Sequence, residues 1–151
     1  MKVVATNKKA NFDYFILSKL EAGIVLSGSE VKSIRLGRVN IKDNFIRIIK
    51  GEAFLFNMHI SYLNTINNYF KLDETRPRKL LLHKREINKM LSSVSQKGLS
   101  IIALSLYFND KNILKISIAL VRGKKLYDKR ESMKKKTLDM EAKIAIKRYL
   151  I

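Results

Sequence analysis

Residues 99–121 read LSIIALSLYF, then Asn109-Asp110-Lys111-Asn112, then ILKISIALV. Two apolar runs rich in branched and aromatic residues, joined by four turn-forming residues, predict a pair of long antiparallel strands, 99–108 and 113–121. Upstream, residues 43–57 pass from apolar to polar to apolar around Lys50-Gly51-Glu52. This predicts a second hairpin, with glycine where a positive φ is needed. Residues 12–17 (FDYFIL) and 22–27 (AGIVLS) predict two further strands separated by a charged connection. Six strands without βαβ alternation give an expected class of mainly β with helices (α+β). The expected architecture is a six-stranded antiparallel barrel like an oligonucleotide-binding (OB) fold.

Helices fill the gaps. Ser27 and Glu30 stand at capping-box spacing, Val31 and Ile34 share a face and Gly37 supplies a stop, so a two-turn helix is predicted over 29–36, carrying Lys32 and Arg35. Ile87, Met90, Leu91 and Val94 recur at i, i+3, i+4 and i+7 before Gly98, which predicts an amphipathic helix over 83–96 opened by His83. Residues 58–79 form the longest irregular stretch, with Asn64, Asn67, Asn68 and the only proline, Pro77, in a basic loop from Arg76 to Lys79. After Val121 the composition changes: residues 122–151 hold 11 basic and 4 acidic residues. The expected division is therefore a barrel over 1–121 and a basic C-terminal tail over 122–151. Its Lys134-Lys135-Lys136 run repels itself, so the tail is expected to be disordered when free. It would become helical on RNA, where Met133, Met140, Ile144 and Ile151 fall on one weak stripe.

Charge points to the partner. Lys and Arg total 31 against 13 Asp and Glu, a net of +18 with pI near 10.2. Such an excess repels itself in a compact state unless phosphates neutralise it, with counterion release driving association. An AT-rich genome would also enrich lysine over arginine, 22 to 9 here, but would not deplete acids this far. Nothing approaches the roughly 20 apolar residues of a membrane span, and residues 1–11 lack a secretory apolar core, so a cytoplasmic monomer is expected. With no cysteine and two histidines, no metal or cofactor is expected.

Catalysis finds little support. Glu30, Asp43, Glu52 and His59 fall at no recognised metal-ligand spacing, and there is no phosphate-cradling glycine loop or nucleophile elbow. Aromatic residues among cations are the more informative sign, because bases stack on rings while Lys and Arg hold the backbone. Tyr14, Tyr62, Tyr69, Phe70 and Tyr127 are candidates for stacking. Phe12, Phe15, Phe45, Phe54 and Phe56 read as packing residues.

Several strings assemble into a resemblance: Asn7-Lys8-Lys9-Ala10, Glu21-Ala22-Gly23-Ile24, Gly28-Ser29-Glu30-Val31-Lys32-Ser33, and Gly51-Glu52-Ala53-Phe54-Leu55. Arg78-Lys79-Leu80-Leu81-Leu82, Ala103-Leu104-Ser105-Leu106-Tyr107 and Gly123-Lys124-Lys125 before Asp128-Lys129-Arg130 continue it. In this order over residues 7–136 the chain resembles the SmpB (SsrA-binding protein) family, the protein partners of bacterial tmRNA. The resemblance implies a non-catalytic barrel that binds the tRNA-like domain of tmRNA. It also implies a partner in the stalled ribosome, at its decoding centre and message channel, where the complex adds a degradation tag (trans-translation). The family's RNA-contacting positions fall on Asn7, Glu21 and Leu81, and its tagging motif on Asp128, Lys129 and Arg130.

With the neighbouring cations, the candidate RNA-binding set is Asn7, Lys8, Glu21, Lys32, Arg35, Arg78, Lys79, Leu81, Lys124 and Lys125. The candidate ribosome-facing tail set is Tyr127, Asp128, Lys129, Arg130, Lys134, Lys135 and Lys136. Leu81 is open between a platform for a base and a core leucine. Two departures from the family pattern stand out: Glu74 where proline commonly follows Asp73, and Tyr127 where many members carry histidine. A ribosomal or cold-shock-like RNA-binding protein is the alternative, and the Asp128-Lys129-Arg130 motif argues against it.

Overall fold

The computed structural model describes residues 1–61 and 73–149. In chain order the elements are β1 (Lys2–Thr6), α1 (Ala10–Asp13), β2 (Tyr14–Ile24), α2 (Gly28–Arg35), β3 (Val39–Asn40), β4 (Phe45–Ile49) and β5 (Glu52–Phe56). They continue with β6 (His59–Ile60), β7 (Arg78–Leu81), α3 (Lys84–Lys97), β8 (Ser100–Phe108), β9 (Leu114–Gly123) and α4 (Leu126–Tyr149). Seven strands form one antiparallel sheet in the order β1-β8-β4-β5-β7-β2-β9, and β8 also pairs with β9. The ladder that leaves β8 through β4 at Ile101 thus comes back to it through β9, while β1 pairs with residues 105–108 of β8. The chain is mainly β with several helices, and among the described residues no helix is long and apolar enough to cross a membrane.

Two expectations about strands are corrected. Residues 12–17 and 22–27 are not separate strands: α1 occupies 10–13, and β2 runs unbroken through the charged stretch. Lys19 and Glu21 are its solvent-side positions, while Leu20 and Ala22 pair with Ile118 and Ile116 on the inner side. What looked like a polar interruption is the alternation of a half-buried strand. A further strand of the sheet, β7, lies inside the stretch read as irregular. Its pattern is concealed because an arginine, Arg78, takes an inward position beside Leu80. Asn64, Asn67, Asn68, Tyr62, Tyr69 and Phe70 lie outside the described residues.

Local signals were otherwise well placed. Gly51, with φ of 77°, turns β4 into β5, and Gly98, with φ of 64°, ends α3 in the left-handed conformation. The Ser27 hydroxyl accepts the Glu30 N–H while Glu30 accepts the Ser27 N–H, the reciprocal capping box of α2. Asp73 accepts from the Thr75 N–H (2.9 Å) and hydroxyl (3.1 Å), which makes the turn that a proline at 74 would otherwise favour.

One interior cluster lies on the inner side of the sheet, built from inward residues such as Ala22, Ile46, Leu55, Leu80, Leu106, Ile116 and Ile118. Ile34 of α2 and Met90 of α3 join it. A smaller cluster lies on the outer side, where Ala10 of α1 covers Ile102, Ala119 and Val121. The tail, expected to be disordered in the free chain, is helical here as α4. Its Met133, Leu138 and Met140 are exposed, and the side chains of Ile144 and Ile151 lie outside the described residues.

Within the interior sits a charge cluster. Glu30 and Arg78 are both 0% exposed. Arg78 donates to Glu30 through Nε (3.0 Å) and Nη2 (2.7 Å), to the Glu74 carbonyl (2.9 Å) and to the Met58 carbonyl, and Arg76 pairs with the other carboxylate oxygen. Burial pushes the Glu30 carboxyl up, but the Ser27 N–H, Arg76 and Arg78 together outweigh it and hold it below its ordinary value of 4.5. A depressed folded value contributes stability that is present above the ordinary value and lost as pH falls through the folded one. Arg78→Met should therefore cost about 3–5 kcal/mol, the penalty for stranding a buried charge, and lower the melting temperature by roughly 10 °C. Glu30→Gln should destabilise similarly at neutral pH and flatten the acid limb of stability against pH below about 4.5. Thermal melts across pH 3–7 check both.

Candidate nucleic-acid interface

Strand register assembles the site. Gly23 of β2 pairs with Leu81 of β7 and with Lys115 of β9, Lys115 pairs with Tyr107 of β8, and Tyr107 pairs with Val3 of β1. One step along, Glu21 pairs with Ser117, Ser117 with Ser105, and Ser105 with Thr6. Directly paired residues share a face, so both rows lie on the outer face of the sheet. Glu21, Gly23, Leu81, Leu82, His83, Glu86 and Lys115 line one open cleft there. Candidates sixty residues apart in sequence, Glu21 and Leu81, are thereby brought together.

Leu81 is 55% exposed while Leu80 is 1% exposed, so the strand alternation decides the open question: Leu81 faces out and Leu80 is core. A Cβ on Gly23 would stand 3.2 Å from the Leu81 Cβ, so the glycine lets the leucine lie close over β2. Lys79, two residues before Leu81, is on the same face, with Glu52 at 3.3 Å. Asn7 follows Thr6 at the β1 end of the rows. Its N–H is held by the Leu104 carbonyl (2.8 Å) and its amide donates to the Ala103 carbonyl (3.4 Å). Lys8 is exposed beside it and lines a second cleft with Lys9, Asn40 and Lys42.

Other candidates lie elsewhere. Arg78 is buried in the Glu30 cluster and cannot reach a phosphate, so its place in the RNA-binding set is corrected: its charge is already neutralised internally. Lys32 and Arg35 are on α2, outside the two rows. Arg35 lies over the Phe108 ring at 4.4 Å and donates to Asn112 at 3.1 Å. Lys124 and Lys125 follow β9 at the opposite end of β2 from Glu21; the Lys124 Nζ donates to the Asn11 carbonyl (2.9 Å) and lies over Phe15. In α4, Tyr127 is 72% exposed, and Arg130, Lys134, Lys135 and Lys136 are exposed. Asp128 accepts the Lys125 N–H at 3.1 Å, and Lys129 pairs with Asp13 at 3.2 Å. His83 occupies the N-cap position of α3, and His59 pairs with Glu74 at 2.8 Å.

Lys115 and Tyr107 were missed by sequence reading. Lys115 belongs to no basic cluster, Tyr107 stands beside Phe108 with no cation adjacent, and only register shows them beside Glu21. Their one sequence signal was position, since both fall on the polar side of strands whose other side is core. The Tyr107 hydroxyl donates to the Glu21 carboxylate. That bond turns a carboxylate, an unexpected group on a phosphate-binding face, into an oriented acceptor for base amino groups or a ribose 2′-hydroxyl.

The SmpB protein family model matches residues 4–148. The chain belongs to the SmpB family. Among curated proteins, the SsrA-binding protein of Helicobacter hepaticus is 64% identical over 149 residues, covering 99% of this chain and 96% of that protein. The SsrA-binding protein of Nitratiruptor sp. is 60% identical, covering 99% of each, and that of Campylobacter jejuni is 56% identical, again covering 99% of each. A solved structure described as "tmRNA-SmpB: a journey to the center of the bacterial ribosome" superposes with a TM-score of 0.67 at 42% identity. The match covers 85% of this chain and 92% of the other.

For this SmpB-family chain, the Glu21–Tyr107 bond has a spectroscopic consequence. Partial burial, then the hydrogen bond to Glu21 and its charge, push the Tyr107 phenol up to about 12 from its ordinary 10.0. NMR titration of tyrosine ring carbons should show this late ionisation, and Glu21→Gln should return it part-way toward 10.0.

Proposed function

We propose that the chain binds the tRNA-like domain of tmRNA through the outer-face rows and carries it to stalled ribosomes for trans-translation, with α4 directed into the decoding centre and message channel. The observation that carries this reading is the convergence of Glu21, Leu81 and Lys115 on one exposed cleft, with Asn7 at the β1 end of the neighbouring row. A carboxylate held by Tyr107, an apolar platform and a lysine supply base-edge specificity, stacking and phosphate neutralisation respectively. The partners that its relatives are named for, SsrA RNA and the bacterial ribosome, fit this chemistry.

In this reading the returning ladder of β8, β4, β5, β7, β2 and β9 is an OB-like barrel over 1–121, and 122–151 is a separate ribosome-facing tail. The barrel side keeps 20 basic and 9 acidic residues, enough positive charge to bind RNA without the tail. The exposed Lys134, Lys135 and Lys136 supply little packing and much charge. Phosphates of rRNA would therefore screen the repulsion along α4 and hold its helix on the ribosome. The protein acts as a cytoplasmic adaptor, and the chemistry of tagging belongs to the ribosome.

Glu21→Ala and Lys115→Ala should each weaken binding to the isolated tRNA-like domain by about tenfold with unchanged melting temperature. Gel-shift titration beside thermal melting measures this; lost stability with retained affinity would make these residues structural. Wild-type affinity should fall steeply with salt, each phosphate contact adding about −0.7 to −0.9 to the log–log slope. Truncation after Arg122 should leave that affinity within about threefold, because the counterion release of the barrel remains, and abolish peptide tagging on stalled ribosomes in a translation assay.

A further inference from the structure

We infer that α1 is a bracket for the tail, in which Asp13 and Phe12 are positioning residues that set the direction of α4 and so present Tyr127 and Arg130 outward. This rests on the proposal that the tail acts on the ribosome. The bracket itself is anchored: Ala10 is buried on Ile102, Ala119 and Val121, so α1 is fixed to the sheet. The pairing of β2 with β9 ends at Tyr14 and Gly123, and the next backbone bond, from the Lys124 N–H to the Asp13 carbonyl (2.9 Å), ties the departing chain to α1. The Lys124 Nζ adds a bond to the Asn11 carbonyl (2.9 Å).

The first turn of α4 then folds back onto the same four residues. Asp128 accepts the Lys125 N–H, closing the helix start. Lys129, one turn on, brings its ammonium to Asp13 at 3.2 Å and stands over the Phe12 ring at 5.8 Å. Beside it, Arg122 and Lys124 each stand 5.0 Å from the Phe15 ring centre. The tagging motif is thereby divided. Asp128 and Lys129 are used within the chain, whereas Arg130 and Tyr127 face solvent.

A half-exposed ion pair does little for global stability, but it does much for direction. A 24-residue helix is a lever about 36 Å long, so a swing of about 10° at its base moves its far end by about 6 Å. Losing the Asp13–Lys129 contact leaves α4 pivoting about residues 123–125.

The chain has no cysteine, so spin labels at Ser92→Cys on α3 and Thr137→Cys on α4 report the direction of the tail by pulsed electron resonance. Asp13→Lys and Phe12→Ala should broaden the label–label distance distribution at unchanged melting temperature and unchanged affinity for isolated tmRNA. In unlabelled protein they should lower tagging by about tenfold, the order of penalty a small misplacement carries. The charge swap Asp13→Lys with Lys129→Glu should narrow the distribution again, which a merely destabilising substitution would not allow. An unchanged distribution in Asp13→Lys, or a broadened one with full tagging, overturns the bracket. Full tagging by the chain truncated after Arg122 overturns instead the parent reading of the tail, a result independent of the distance measurement.

Discussion

Two charged side chains fully removed from water cannot each stand alone, and the way Glu30 and Arg78 satisfy each other, with the partly exposed Arg76 joining them, fixes parts of the chain distant in sequence. Glu30 belongs to α2, Arg78 to β7 and Arg76 to the turn before it, and the carbonyls of Met58 and Glu74 complete the Arg78 set. Because the carboxylate also closes the capping box of α2, the start of that helix, the course of β7 and the chain after β5 are determined together. An apolar trio of equal volume could fill the same space, but it would not dictate one geometry by hydrogen bonds. The proposed RNA face inherits this. β7 can present Leu81 outward because Arg78 and Leu80, on the opposite parity, are held inward.

Parity is the general device of this fold. The long strands of the sheet turn one residue in two to an aliphatic interior and the other to the outer face, which α1 covers at Ile102, Ala119 and Val121 and leaves open elsewhere, so a face with chemistry costs nothing beyond the choice of outward residues. Lys19, Glu21, Lys115, Ser117, Ser105 and Tyr107 are all such choices, drawn from three strands. The excess positive charge is not gathered into one stripe. Some cations are neutralised or stacked at home, as Arg78 on Glu30 and Arg35 on Phe108, and others remain open along the outer face and on α4.

The sequence disclosed what is encoded locally. The 99–121 hairpin, the Ser27–Glu30 capping box, the Gly51 turn and the Gly98 stop each rest on residues within a few positions of one another. What it concealed is encoded across strands. β7 was unreadable because a buried arginine breaks the expected pattern and its partner lies 48 residues away. β2 was split in two because outward Lys19 and Glu21 read as a loop until their partners on β9 are known. Of the candidate site, Glu21 and Leu81 came from motif resemblance rather than from any physical signal, and Lys115 and Tyr107 had only their parity in the strands to mark them. Arg78 was assigned to RNA because charge in a sequence looks the same whether it faces solvent or a carboxylate.

The unbroken course of β2 has a metrical consequence. Its first residue adjoins the α1 contact with the tail, and its eighth is Glu21. One extended segment therefore separates the two by roughly 23 Å of strand, less what the irregularity between Ile16 and Ser18 takes up. Hydrogen bonded to β9 along this length, the segment behaves as a gauge block: the interval between the nucleic-acid contact and the root of the tail is written in residue count and not left to a hinge. Deleting or inserting one residue between Ser18 and Leu20 would change that interval by about 3.3 Å and turn every outward side chain beyond it inward. Distance and identity of the contact face are thus locked to the same integer, and neither can drift while the other is kept.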